Sequence, residues 1–203
     1  MNHLEKLKNL KNRYFVMRHG QSMANLGGLI VSTPENGVTA YGLSDEGKEQ
    51  VRKSVLTRKW LDIELASNVR IISSDFKRAH ETAKIASAKL KTTHKVLLNS
   101  KLRERDFGDF ELQSDTNYQK TWADDAISSA HTNNNVESAD SVMQRATSLV
   151  ISLEEKYSAE TFLLIAHGDT LQILQTAFKK QPASKQRELT HLETAEIREL
   201  ILS

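Results

Sequence analysis

Two apolar runs in this chain end in the same way, with a histidine followed by a glycine. The first run covers residues 14–17 and ends at Arg18-His19-Gly20, and the second covers residues 161–166 and ends at His167-Gly168. Such runs are typical of buried strands, and open α/β sheets bind ligands outside the carboxyl ends of their strands. Two strand ends of this kind would place two histidines in one crevice.

The residue types at the first strand end suit a phosphate group. Arginine supplies a planar fork of N–H donors for phosphate oxygens, and glycine lets the backbone approach a ligand closely. Histidine is a nucleophile with a pKa near neutrality. We expect a short helix to open just after this turn, and its free backbone N–H groups also favour an anion. By itself, however, the motif is more typical of an ordinary turn.

Strand-like runs alternate with helical patterns along the chain. The predicted strands cover residues 14–17, 69–73, 95–98, 161–166 and 196–202. Helices are predicted from Ser44 to Trp60, from Asp75 through the apolar stripe Phe76, Ala79, Ala83, Ala86 and Leu90, over residues 118–127, from Asp140 onwards, and over residues 169–178. This alternation predicts an α/β fold with a mostly parallel sheet and helices on both faces. We expect residues 1–203 to form one domain, with residues 1–12 as a candidate N-terminal extension.

Composition excludes several classes of function. The net charge of +2 and the absence of a basic tract with interleaved aromatics argue against a nucleic-acid partner. The chain has no cysteine, so disulfides, thiolate zinc sites and cysteine catalysis are excluded. No apolar stretch approaches the ~20 residues that span a bilayer, and residues 1–11 lack the apolar core of a signal peptide. We therefore expect a cytoplasmic protein without a membrane partner.

The N-terminal segment carries leucines at regular spacing. Leu4, Leu7 and Leu10 lie three positions apart among lysines. The pattern favours a short helix packed on the domain, or a frayed end. A helix lying on a membrane surface is the alternative, because it would also pair leucines with lysines.

Further motifs occur in a fixed order along the chain. They are Arg18-His19-Gly20-Gln21-Ser22 with Asn25, Leu43-Ser44-Asp45-Glu46-Gly47, Ser73-Ser74-Asp75-Phe76-Lys77-Arg78-Ala79 with Thr82-Ala83, Leu102-Arg103-Glu104 before Phe107-Gly108, Val136-Glu137-Ser138, and Ala166-His167-Gly168. Through these motifs the chain resembles the histidine phosphatase superfamily, also called phosphoglycerate mutase-like, from residue 14 to residue 202. The resemblance implies a three-layer α/β/α sandwich with one antiparallel edge strand.

The resemblance also implies roles for particular residues. His19 would be the nucleophile that carries the phosphoryl group as phosphohistidine. The phosphate pocket would comprise Arg18, Arg78 and His167, with further hydrogen bonds from Asn25 and the backbone N–H of Gly168. Two guanidinium groups and an imidazole can stabilise the transferring phosphoryl group electrostatically without a metal, so we expect neither a metal ion nor a cofactor.

Glu104 would serve as general acid and then general base. It lies within the charged run Arg103-Glu104-Arg105-Asp106, which is also compatible with a solvated surface, and Asp109 and Glu111 are the nearby alternatives. Glu137 and Ser138 match a family element, but Val136 replaces the usual glycine, and we assign them no chemical role. Gln21 stands where many members have glutamate, which changes the local charge and not the chemistry.

Three functions follow from these residues. The first is a metal-independent phosphatase that hydrolyses phosphate monoesters. The second is a mutase of the phosphoglycerate type, whose members usually carry a long insertion after the acid; here only 33 positions lead from Glu104 to Glu137. The third is a catalytically silent protein that binds a phosphorylated ligand. The expected substrate is a small phosphate ester, with a phosphoprotein also open, and residues 26–42 form a long loop that either borders it or is a plain surface excursion. The oligomeric state is left open.

Overall fold

The apolar run at residues 14–17 forms the central part of strand β1, Arg13–Arg18. In this computed structural model, which describes residues 1–57 and 66–203, β1 pairs in parallel with β4, Thr161–Ala166. The register sets Arg13 opposite Thr161 and Arg18 opposite Ala166. His19 and His167 therefore follow directly after two neighbouring strand ends at the same edge of the sheet.

The described residues complete one sheet with three more strands. They are β2 (Arg70–Ser73), β3 (Leu97–Leu98) and β5 (Ile197–Leu200). The strand order is β3-β2-β4-β1-β5, and every pairing is parallel except that of β5 with β1. The predicted fold, a mostly parallel sheet with one antiparallel edge strand, is confirmed.

Helices connect these strands and cover both faces of the sheet. In the described residues they are α1 (Met23–Leu26), α2 (Pro34–Gly37), α3 (Asp45–Leu56), α4 (Lys77–Leu90), α5 (Tyr118–Ile127), α6 (Ala139–Lys156) and α7 (Gly168–Phe178). The core of one face joins α6 and α7 to Tyr14 and Val16 of β1, and the core of the other joins α3 and α4 to Phe15 and Met17. Alternate residues of β1 point to opposite faces, so one strand anchors both layers.

The structure corrects two predicted helix starts. Asp75 does not cap α4: the N-cap residue is Phe76, with no side-chain hydrogen bond, and the Asp75 carboxylate instead accepts two hydrogen bonds from Arg103. Helix α6 begins one residue before the predicted Asp140, because the Ser138 hydroxyl accepts a hydrogen bond from the N–H of Ser141. The stretch of the first predicted helix from residue 58 to Trp60 lies outside the described residues.

Residues 1–12 form turns and not the predicted short helix, yet they pack on the domain. Leu4 is fully buried in the core beside α6 and α7, and Leu7 and Leu10 pack partly against it. The Asn2 side-chain amide donates to the carbonyl of Ala177, so polar contacts also hold the segment. No helix within residues 1–57 and 66–203 has the length and apolarity needed to cross a membrane.

Candidate active site

The two strand-end histidines lie beside each other. The ring centroids of His19 and His167 are 5.1 Å apart, in an edge-to-face arrangement. The N–H of His19 donates to the carbonyl of Ala166, the last residue of β4, so a backbone hydrogen bond fixes one strand end to the other. Parallel pairing of β1 and β4 thus produces the crevice that the two motifs predicted.

The turn after His19 requires glycine because it touches the neighbouring helix. A Cβ atom at Gly20 would lie 2.4 Å from the backbone oxygen of Gly47 on α3, closer than real Cβ contacts allow. The N–H of Gly20 donates to the Thr82 hydroxyl, which in turn donates to the carbonyl of Arg78. The turn at His19-Gly20 and helix α4 are therefore held in fixed positions relative to each other.

The His19 ring has a defined tautomer. Its Nδ1 lies 2.7 Å from the carbonyl oxygen of Gly20, which can only accept, so the ring proton is on Nδ1. The lone pair is then on Nε2, which accepts a 3.1 Å hydrogen bond from Nε of Arg78. Burial, together with the charges of Arg78 and Arg18, holds the pKa of His19 well below its usual range. His19 is consequently neutral near pH 7, as a nucleophile must be.

His167 has the same tautomer as His19, but its Nδ1 has no hydrogen-bond partner. Its Nε2 lies 2.9 Å from the Ser74 hydroxyl, and that hydroxyl already accepts a hydrogen bond from the N–H of Phe76. Because the serine proton is then free to point at Nε2, we assign the ring proton of His167 to Nδ1, which is buried without a partner. Burial and the charge of Arg78 lower the pKa of His167 as well. The ring is fully buried behind His19 and does not itself line the cavity.

Both predicted arginines carry spare donors at this point. Arg78 is 4% exposed; its Nη2 donates to the carbonyl of Val31, and its Nη1 is buried without a partner. Arg18 donates through Nη1 to the Leu192 carbonyl and to Nε2 of His191, while its Nε is buried and unpartnered. Buried guanidinium N–H groups without acceptors are rare, and here they are available to an anion.

Glu104 lies in the same cavity as His19. Its Oε1 accepts hydrogen bonds from the N–H groups of Arg105 and Thr170, and the side chain is 8% exposed. Of the two alternatives, Asp109 is exposed and Glu111 accepts hydrogen bonds within the loop at residues 32–36; neither lines the cavity. The geometry therefore favours Glu104 over both.

The charged run around Glu104 is not a solvated surface. Arg105 is fully buried and binds Asp125 through two hydrogen bonds of 2.6 and 2.9 Å. Arg145 holds the carboxylate of Glu137 and also donates to the backbone carbonyl of Glu104. Glu137 thus has a structural place in this site, since it fixes the arginine that anchors the Glu104 backbone.

Two further predicted residues line the cavity. The Asn25 side-chain oxygen accepts hydrogen bonds from the N–H and the hydroxyl of Ser22 and so caps α1, while the residue remains on the cavity wall. Gly168 lines the cavity as the first residue of α7. Gln21 lies apart from the lining, where its side-chain oxygen accepts from Ser44.

Sequence reasoning missed several residues of the cavity wall. These are Ser22, Asp115, Tyr118, Trp122, Asp169 and His191. The one available signal was the pair of aromatic residues four positions apart on the predicted helix at residues 118–127, whose rings stack at 5.5 Å. His191 follows no pattern, and the fold alone brings it to Arg18. Burial and Arg18 lower the pKa of His191 to about 4, so it accepts from the guanidinium as a neutral ring.

The loop at residues 26–42 borders the cavity, as one of the two interpretations of the sequence predicted. Leu29 and Val31 line it, and the Glu111 carboxylate binds the backbone N–H groups of Ser32 and Thr33 from behind. Burial would raise the pKa of Glu111, but these hydrogen bonds outweigh it and lower the pKa. A charged carboxylate therefore holds the loop in place.

Comparisons with known proteins agree with this geometry. The model of the histidine phosphatase superfamily (branch 1) matches residues 14–203. Phosphoglycerate mutase-like protein 4 of Arabidopsis thaliana is 29% identical over 165 residues, which cover 78% of this chain and 67% of that protein. Adenosylcobalamin/alpha-ribazole phosphatase of Escherichia coli K12 is 24% identical over 178 residues, covering 84% and 81%. Among solved structures, a mycobacterial glucosyl-3-phosphoglycerate phosphatase in complex with VO3 has the same fold, with a TM-score of 0.75 at 23% identity over 92% of this chain and 91% of that one.

Proposed function

Because the chain belongs to the histidine phosphatase superfamily, we propose that it hydrolyses phosphate monoesters through a phosphohistidine formed on His19. One observation carries the proposal. The proton of His19 is held at Nδ1 by the Gly20 carbonyl, and Nε2 offers its lone pair beside two cationic groups whose N–H donors lack partners. A relative of this chain is a phosphatase by name, which agrees with hydrolysis.

In the first half-reaction Nε2 of His19 attacks phosphorus, and the bond from phosphorus to the ester oxygen breaks. Glu104, entering as the carboxylic acid, gives its proton to the departing oxygen. Arg78 donates to the attacking lone pair at 3.1 Å, so its N–H must move to a phosphate oxygen before Nε2 can react. The arginine thereby couples phosphate binding to exposure of the nucleophile.

In the second half-reaction water attacks the phosphohistidine, and the bond from phosphorus to Nε2 breaks. Glu104, now the carboxylate, takes the proton of the water, and inorganic phosphate leaves. Arg18 and Arg78 would stabilise the charge on the transferring group in both steps, and the unpartnered Nδ1 of His167 would join them if the bound phosphate extends past the cavity wall to this buried ring. Asn25 and the N–H of Gly168 would complete the hydrogen bonds to phosphate.

A mutase would use the same phosphohistidine but would have to keep water away from it. The segment between Glu104 and Glu137 forms short turns and the ten-residue helix α5, which supplies Tyr118 and Trp122 to one wall. The cavity keeps exposed residues such as Asn25 on its rim. Both features favour access of water and therefore hydrolysis.

The test compares the two outcomes directly. The protein is incubated with 3-phosphoglycerate and a bisphosphoglycerate primer, and in parallel with an aryl phosphate, with and without a chelator. We expect release of inorganic phosphate to dominate and to persist in the chelator. Isomerisation that greatly outruns phosphate release would establish the mutase. Absence of both reactions over a broad panel of phosphoesters would support the silent binding protein.

A further inference from the structure

The cavity beside His19 is small and asymmetric in charge. Its volume is about 210 Å³, below the ~300–1,000 Å³ that is usual for sites of larger ligands. A phosphate group at the nucleophile would occupy a good part of this space. The space that remains within the walls suits a leaving group of a few carbon and oxygen atoms, which would extend towards the exposed rim at Asn25 and Asp115.

The cationic side chains of the cavity lie at the end that contains His19, which we call the phosphate end. In the described part of the chain, the lysine and arginine side chains that line it are Arg18 and Arg78. Nε of Arg78 donates to Nε2 of His19, and Nη1 of Arg78 and Nε of Arg18 are buried without partners. A dianionic phosphate would therefore occupy both arginines.

The remaining wall is acidic. Glu104, Asp115 and Asp169 line the cavity, and Asp115 is exposed, which places it at the rim, where a leaving group would extend. Tyr118 and Asn25 add a phenol and an amide to the same wall. All of these groups can bind hydroxyls, and the carboxylates of Asp115 and Asp169 repel a second negative charge.

Arg187, which lies beside the cavity wall, is already engaged. The guanidinium of Arg187 lies 3.7 Å above the Trp122 ring and 3.8 Å from the Asp169 carboxylate. Asp169 also accepts hydrogen bonds from Nε1 of Trp122. Recruiting Arg187 to a substrate carboxylate would break this set of contacts.

Building on the function proposed above, we propose that the site is selective for small phosphate monoesters with a neutral, hydroxylated leaving group, and disfavours esters that carry a second anionic group. The exposed carboxylate of Asp115 and the buried carboxylate of Asp169 produce this selectivity together. Asp115 is the residue best suited to a test of this selectivity, because it is exposed and no contact with Arg18, His19 or Arg78 is seen among the described residues.

Two substrates with the same skeleton test the proposal. Glycerol 3-phosphate carries a hydroxymethyl group where 3-phosphoglycerate carries a carboxylate. Binding is measured by calorimetry on His19→Asn, which cannot turn either ester over and which replaces a neutral ring. We expect glycerol 3-phosphate to bind about tenfold more tightly than 3-phosphoglycerate. Adding Asp115→Asn to the His19→Asn protein should reduce this ratio of the two dissociation constants by about two- to fivefold.

Glu155→Gln, which removes an exposed carboxylate on α6 away from the cavity, is the matched control and should leave the ratio unchanged. Equal binding of the two esters, tighter binding of 3-phosphoglycerate, or binding of neither ester would overturn the charge selectivity. Hydrolysis of glycerol 3-phosphate and of an aryl phosphate by the unaltered protein is followed separately. Loss of the binding ratio with hydrolysis intact refutes this inference alone, whereas a binding ratio without any hydrolysis refutes the phosphatase.

Discussion

Arg78 and Arg105 are both buried arginines near the candidate site, but only Arg105 has ion-pair partners among the described residues. Arg105 is fully buried and bound by two hydrogen bonds to Asp125, with Asp169 3.5 Å away. Arg78 is almost as buried, but among the described residues no carboxylate lies within ion-pair distance of it, and its Nη1 has no partner. Burial accordingly lowers the pKa of Arg78, whereas Asp125 and Asp169 overcome burial and raise that of Arg105.

This contrast extends to the residues around each arginine. The phosphate end, which comprises Arg18, His19, Arg78 and His167, retains unpartnered N–H groups on three of its four side chains. The ion-pair cluster, which comprises Arg105, Asp125, His131 and Asp169, is linked throughout by hydrogen bonds and ion pairs. An unsatisfied buried donor costs about 1–3 kcal/mol, so such donors persist where a ligand completes them. The phosphate end is thus organised for binding and the ion-pair cluster for stability.

The largest effect we expect comes from His19, the proposed nucleophile at the phosphate end. His19→Ala should lower kcat by at least about 10⁴-fold, since no phosphohistidine can form. It should also abolish acid-labile phosphate on the protein, as measured by rapid quench with labelled substrate. Because His19→Ala leaves Nε of Arg78 without its acceptor, the free energy of unfolding of this variant should fall by about 1–3 kcal/mol. Label recovered on His167, or turnover close to normal, would refute the assignment of His19.

The second prediction separates the two arginines. Arg105→Met leaves buried carboxylates without their cation and should lower the free energy of unfolding by about 3–5 kcal/mol. Arg78→Met should change that free energy by less than about 1 kcal/mol, or raise it, because the lost cation had no acidic partner. Unfolding in urea measures both.

Activity should respond in the reverse sense. Arg78→Met should lower kcat/KM by about 10²–10³-fold through lost stabilisation of the phosphoryl group. If Arg105→Met does not fold, Arg105→Lys keeps the charge and should recover part of the stability. Equal destabilisation by the two arginine variants would show that the contrast between the regions is wrong.

Glu104 lies between the two regions, and its variant tests which of them it serves. Glu104→Gln should lower kcat/KM by about 10²–10³-fold for an alkyl phosphate, whose leaving oxygen needs a proton. For an aryl phosphate with a good leaving group the loss should be less than about tenfold, because that oxygen departs unprotonated. Since kcat/KM reports the phosphorylation step, the later hydrolysis does not mask the difference. Equal losses on both substrates would indicate that another residue, such as Asp109 or Glu111, is the general acid.

The smallest effect concerns pH and has opposite signs in the two regions. The pKa of His167 is lowered by burial, so below pH 6.5 the unfolded chain gains a proton that the folded chain does not. Its contribution to the free energy of unfolding therefore falls as the pH falls, by up to about 1.4 kcal/mol per pH unit. Burial, despite Arg105, raises the pKa of Asp169 to about 6, so between pH 6 and pH 3.8 the folded chain gains the proton first, and stability rises as the pH falls.

Urea unfolding between pH 6.5 and pH 5 tests both signs. His167→Gln should flatten the dependence of the free energy of unfolding on pH, and Asp169→Asn should steepen it. A steeper dependence in His167→Gln would show that this ring takes up a proton in the folded state.

Much of the fold was predictable from local patterns. The apolar runs at residues 14–17 and 162–166 are buried, as is typical of interior strands of a parallel sheet. Helix α5 has the predicted bounds, and Ser44 caps α3 as its residue type indicates. The cap at Asp75 was wrong because Arg103, 28 residues further on, competes for the carboxylate. That contact is long-range, and no local pattern reports it.

The candidate site divides in the same way. The sequence by itself determined that Arg18-His19 and His167 end apolar strands, because hydrophobic periodicity and strand termination are local properties. Only the tertiary structure decided that β4 lies next to β1. It also decided that Arg78 donates to His19 and has no ion-pair partner among the described residues. In the same way, it decided that Arg105 is buried while Asp106 is exposed. Burial and pairing of a charge depend on which distant segments pack around it. The electrostatics of this site therefore depend on the tertiary structure and cannot be predicted from the local sequence.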